Sequence, residues 1–169
     1  MSLRSYVSVA ILIQLSCLGG TAYSAETNLD LTNTVLMAPV GGPVGKAADV
    51  LSDEVYARTG IRWYIRDHFQ GAATIVLCTV DDVPDGVQVP AAMKVPESAE
   101  GFAIAVDGET VFLVGRDPRG VLYAAGRLLR ALTMRPREIT LPRDTQIATS
   151  PKYPMRVHQL GYRNAATSY

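Results

Sequence analysis

Residues 100–132, EGFAIAVDGETVFLVGRDPRGVLYAAGRLLRAL, carry the reading on which the fold depends. The runs GFAIAV and TVFLVG flank Asp107-Gly108, a pair suited to the positive φ of a tight hairpin turn. Asp117 can then cap a helix, and Pro118 fits the first turn, where no amide hydrogen bond is lost. Val121, Leu122, Ala125, Leu128, Leu129 and Leu132 form one apolar stripe, with Arg119, Arg127 and Arg130 off it. Gly120 and Gly126 each cost roughly 1 kcal/mol inside a helix. Close approach to the sheet is the expected compensation, with the small Ala103 and Ala105 leaving room.

Upstream the same periodicities continue. TVLM (34–37) reads as a short strand, broken by APVGGP. Val44, Ala47, Ala48, Leu51 and Val55 keep helical spacing, and Gly60 after Thr59 supplies a stop. IRWYIR (61–66) alternates as a half-buried strand, and ATIVLCT (73–79) is apolar on both faces, as a central strand is. Residues 80–100 hold several prolines and no sustained period, which predicts a long surface loop. The order predicts an α+β fold, a mixed β-sheet with two helices packed on it.

The chain of 169 residues has room for one domain, and 48% hydrophobic with 19% charged residues is an ordinary globular composition. Sixteen basic residues balance sixteen acidic ones, so nothing favours binding a nucleic-acid backbone. At the start, Arg4, the largely apolar stretch from Val7 to Gly20, and small residues at Ala22 and Ser24 predict a signal peptide over 1–24, cleaved before Ala25. The apolar run is about 14 residues, short of a stable membrane anchor. In IQLSC, Gln14 replaces the leucine a lipobox needs three residues before Cys17. Cleavage leaves Cys78 alone, inside an apolar run, as a buried structural thiol.

The search for chemistry returns little. GGPVGK (41–46) fails the phosphate-loop spacing and has Ala47 where Ser or Thr would hold magnesium. His68 and His158 are far apart in sequence and build no metal motif. Asp81, Asp82 and Asp85 imitate a carboxylate pair but sit in a Pro-rich loop, where solvated charge is the expected role. No serine stands on a nucleophile elbow. Trp63 and Tyr64 point to opposite faces of one strand, so they form no joint sugar platform; Trp63 belongs to the core and Tyr64 stays open as a glycan contact. No cofactor, no metal and no catalytic residue is expected of this chain.

The stretch 100–132 resembles the N-terminal, non-catalytic domain of glycoside hydrolases such as the family-20 β-N-acetylhexosaminidases and the α-glucuronidases. Glu100, Phe102 and Ile104, the hairpin, then Gly120, Tyr123 and the paired Leu128 and Leu129 carry the likeness. KAADVLSDEVYARTG (46–60) is similar to the first helix of that domain, and ITLPRDTQIATSPKYPMR (139–156) to its exit toward a (β/α)8 barrel. The resemblance implies a zincin-like topology without its zinc, and an accessory role beside a barrel whose carboxylates lie elsewhere. It divides the chain into a signal peptide (1–24), a leader (25–33), the accessory domain (34–148), and a linker with the first barrel strand (149–169). Carbohydrate would then be met through a catalytic domain that this chain does not contain. The family's sugar-binding arginine falls at Arg156, although Val157 follows it in place of glycine; Arg163 has a weaker claim. Residues past Arg156 are expected to pack poorly without such a partner. The alternative is a standalone exported module that binds glycan or protein.

Overall fold

A computed structural model describes residues 27–68 and 73–153. The elements run β1 (Asn28–Asp30), β2 (Val35–Met37), α1 (Gly42–Thr59), β3 (Tyr64–Arg66), β4 (Thr74–Thr79), β5 (Phe102–Asp107), β6 (Thr110–Gly115), α2 (Pro118–Ala131), β7 (Thr133–Arg135), β8 (Glu138–Pro142) and β9 (Gln146–Thr149). The fold is α+β, as the sequence predicts.

Six strands form a mixed sheet in the order β3-β2-β4-β6-β5-β9. Strands β3, β2, β4 and β6 are mutually parallel. Strand β5 runs antiparallel to both β6 and β9. The Asp107–Thr110 pair closes the predicted hairpin, with Gly108 at φ 58° in the left-handed region its turn requires. Helix α1 ends as expected at Gly60, whose φ of 75° makes a left-handed cap.

Both helices cover one face of this sheet. Leu36, Ile75, Leu77, Ile104 and Leu113 meet Ala48, Leu51 and Val55 of α1 and Val121, Ala125 and Leu128 of α2. Each large side chain buried this way contributes about 1.5–3 kcal/mol. The opposite face carries Met37, Val76, Cys78, Phe112 and Val114. Five residues of the 80–100 segment, Val80, Val87, Val89, Met93 and Val95, pack over it. That segment is irregular, as expected, but it is more than a surface loop. A central strand apolar on both faces needs two covers, and this stretch is the second one.

Two further expectations are corrected. Residues 25–33 were expected to form a leader outside the domain. Instead Asn28–Asp30 pairs antiparallel with β8, which also pairs with β7, giving a separate three-stranded sheet. Leu29 and Leu31 are fully buried in the helix-side core, and the Trp63 indole donates a hydrogen bond of 2.9 Å to the Leu31 carbonyl. Three residues with a single inward leucine give too little alternation to announce a strand; the indole and the buried leucines hold it in place.

The second correction concerns the helix glycines. Ala103 and Ala105 pair with Val114 and Phe112, and directly paired residues share a face. They therefore lie on the side away from the helices and leave no room for α2. Gly120 does make a close approach, but to backbone: a Cβ there would sit 2.4 Å from the Gly101 carbonyl oxygen and 3.2 Å from the Gly115 Cα. Gly126 has no such reason, since a Cβ there would meet nothing within 4 Å.

Candidate functional site

Where β2, β4 and β6 end, the starts of both helices converge. Open α/β sheets place ligands at this edge, because successive strands direct their loops and the positive helix ends toward one crevice. Here the crevice holds about 300 Å3 and is lined by Pro39, Gly42, Thr79, Asp82, Arg116 and Pro118. Gly41 and Gly42, at φ 77° and 65°, turn the chain into α1. GGPVGK is thus a turn opening a helix, and Lys46 pairs with Asp49 at 3.7 Å on the helix surface.

The acid in this crevice with a defined task is structural. Asp117 accepts the amides of Gly120 at 2.8 Å and Glu100 at 2.7 Å, so one carboxylate caps α2 and anchors the chain entering β5. Partial burial, the largest influence, pushes its pKa up. The amide bonds from Glu100, Gly120 and Arg119, with the Arg119 charge, outweigh it and hold the group below the usual carboxylate range. The sequence foresees the cap but not the Glu100 bond, which joins positions 17 residues apart. Glu100 itself, at φ 61°, pairs with Arg119 at 3.2 Å.

The remaining candidates do not come together. Asp81 and Asp82 line the same crevice as solvated side chains in the turn after β4, while Asp85 lies further along the covering segment. His68 sits at the surface, 2.6 Å from its neighbour Asp67. Cys78 is fully buried; burial first, and Asp82 second, push its thiol up to about 11. Such a thiol stays protonated and unreactive at neutral pH. No cluster of three or more potential metal-ligating residues occurs among the described residues. Trp63 is 1% exposed and belongs to the core. Tyr64 is 58% exposed, with the Arg66 guanidinium 5.6 Å from its ring centre. Arg156, His158, Arg163 and the signal-peptide stretch lie outside the described residues. Among those described, no helix is long and apolar enough to cross a membrane.

No family model and no curated protein matches the sequence. Solved structures do. The chain is similar to a mutant β-hexosaminidase of Streptomyces plicatus, with a TM-score of 0.55 and 16% identity, over 76% of this chain and 24% of that one. It is similar to the family-20 β-N-acetylhexosaminidase of Streptomyces coelicolor A3(2), with a TM-score of 0.54, 16% identity and the same coverage. A third likeness is to the family-115 4-O-methyl-α-glucuronidase BtGH115A, with a TM-score of 0.55 and 17% identity, over 75% of this chain and 18% of that one. At such identities the likeness establishes the fold. The described residues thus have the fold of a partial domain found within much longer family-20 and family-115 glycoside hydrolases, of whose length this chain spans a quarter or less.

Proposed function

We propose that this chain contributes the non-catalytic accessory domain of an exported glycoside hydrolase, hexosaminidase- or glucuronidase-like. The observation that carries the reading is the fold match itself: three quarters of this chain aligns with a quarter or less of each hydrolase. The chemistry of the domain is compatible with it. The carboxylate given a fixed geometry at the strand ends, Asp117, spends it on two backbone amides rather than on a substrate. On this reading the domain packs beside a (β/α)8 body that holds the hydrolytic acids, and Arg156 reaches sugar hydroxyls there through its fixed donors. Export follows from the predicted cleavage before Ala25.

The test is turnover. The purified chain alone should release no aryl group above background from aryl N-acetyl-β-glucosaminides or aryl α-glucuronides. Turnover that falls when Asp81 or Asp82 is changed to Asn would replace the accessory reading with a self-contained hydrolase. Saturable glycan binding weakened by Tyr64→Ala would favour the binding-module alternative.

A further inference from the structure

Between the starts of α1 and α2, the crevice at the strand ends holds a hydroxyl that the fold does not use. Alternation along β4 puts Thr79 on the same face as Ile75 and Leu77, toward the helices. The residue is 8% exposed and lines the crevice, yet its hydroxyl has no hydrogen-bond partner among the described residues. The comparably buried Ser52 and Thr59 donate to the Trp63 and Val55 carbonyls at 2.7 and 2.8 Å. Thr34 is unpaired as well, but its oxygen is sealed from solvent, so no ligand reaches it. Two neighbours of Thr79 are also unspent. The Arg116 guanidinium lines the crevice with no ion pair among the described residues, whereas Arg119 is held by Glu100. Helix α1 has no side-chain cap, which leaves the Gly42 and Val44 amides of its first turn as donors; Pro43 has none.

We propose that this crevice binds one ring of a neutral sugar. Charge decides against an anion. Asp81, Asp82 and Asp117 set three carboxylates against the single Arg116. The two helix starts, each worth about half a positive charge, offset only about one of them. A metal cation fits no better, since no three potential ligands for one cluster among the described residues. What suits the crevice is a ligand whose polar groups both donate and accept. A carboxylate only accepts, a guanidinium or amide only donates, and the Thr79 hydroxyl does either, so adjacent sugar hydroxyls meet all of them. The rings of Pro39 and Pro118 supply apolar wall for the C–H face of the sugar. A volume of about 300 Å3 is at the small end of ligand pockets, which suits one ring rather than several. All of these groups belong to the described residues, so the assignment holds whether or not a hydrolase body adjoins the domain.

Titration of the full chain with methyl glycosides of glucose, galactose, mannose and N-acetylglucosamine, followed by NMR, tests it. At least one should saturate at roughly millimolar concentration, the affinity expected of so small a ligand, and bind about tenfold tighter than methyl glucuronide or inorganic phosphate. The matching tetrasaccharide separates the two sources of such a ring: equal or tighter binding assigns the crevice to the ends of glycan chains, weaker binding to free sugars. Thr79→Val and Arg116→Gln should each weaken the sugar roughly three- to tenfold, the loss of one hydrogen bond. Thr79→Val should do so while keeping or raising the thermal midpoint, because the hydroxyl it removes is unpaired. Tyr64→Ala should change nothing. Saturation by none of the four glycosides, tighter binding of phosphate or glucuronide, or binding that survives both crevice variants would overturn the proposal. So would dependence on Tyr64, which would move the sugar to β3.

Discussion

Replacing Gly120 and Gly126 by alanine, one at a time, should move stability in opposite directions. Each change removes a glycine from α2, and helix propensity alone favours alanine by about 0.5–1 kcal/mol. The surroundings decide the sign. At Gly126 the new methyl meets nothing within 4 Å, so most of that gain should appear. At Gly120 the methyl would sit 2.4 Å from the Gly101 carbonyl oxygen, which already accepts the Arg116 amide at 2.8 Å. Its other near neighbours are also backbone, so no flexible side chain can yield. Overpacking typically costs about 1–3 kcal/mol, and a rigid backbone neighbour belongs at the upper end. The expected net effects are a loss of about 1–2 kcal/mol for Gly120→Ala and a gain of about 0.5–1 kcal/mol for Gly126→Ala. In thermal melts these should lower the midpoint by roughly 4–8 °C and raise it by roughly 2–4 °C. Urea denaturation with unchanged slopes would supply the free energies. If Gly120→Ala proves as stable as the wild type, the close packing of α2 on the β5–β6 hairpin is wrong.

Other substitutions probe the remaining supports. Asp117→Ala unpairs the amides of Gly120 and Glu100 and should cost about 1–3 kcal/mol near pH 7 in urea denaturation. Because the folded-state pKa of Asp117 is lowered, its contribution is complete above the unfolded value near ~4 and fades as pH falls through the folded value. The gap between wild type and variant should therefore close in acid; a gap that widens there would refute the assignment. Leu128→Ala, at a fully buried position, should cost about 2–5 kcal/mol, with Leu129→Ala toward the lower end; a loss under about 0.5 kcal/mol would put the wrong helix face inward. Cys78 should resist a thiol reagent at pH 8 in the folded protein and react fully in denaturant. Rapid labelling of the folded chain would contradict the covering role of the 80–100 segment.

Local signals in the sequence were legible because each has a local cause. The Asp107-Gly108 turn, the Asp117 cap, Pro118 and the Gly60 stop all act within a few residues, and all stand where expected. Long-range relations were not legible. The parallel pairing of β2 with β3 and β4 depends on crossovers, and nothing in a single strand names its neighbour. Short strands gave too little periodicity. Strand β9 has one half-buried isoleucine among exposed neighbours, and the β7–β8 turn places Arg137 at φ 64° without glycine to mark it. The 80–100 segment read as a loop because its valines follow no period; they cover a sheet face from an irregular backbone. The close approach of Gly120 was half visible, since a helix glycine suggests one while only the fold shows that the backbones it meets are those of Gly101 and Gly115. For the site, the sequence placed Cys78 and Trp63 in the core, and both are buried there. Its one carried-over contact, Arg156, lies outside the described residues.

The central claim, that this domain serves a larger glycoside hydrolase, is tested most directly by sequencing the coding DNA past the codon for Tyr169. The account predicts codons for a (β/α)8 body with paired acidic residues at its strand ends. Their absence in every frame, with stable production of the 169-residue chain, would contradict it.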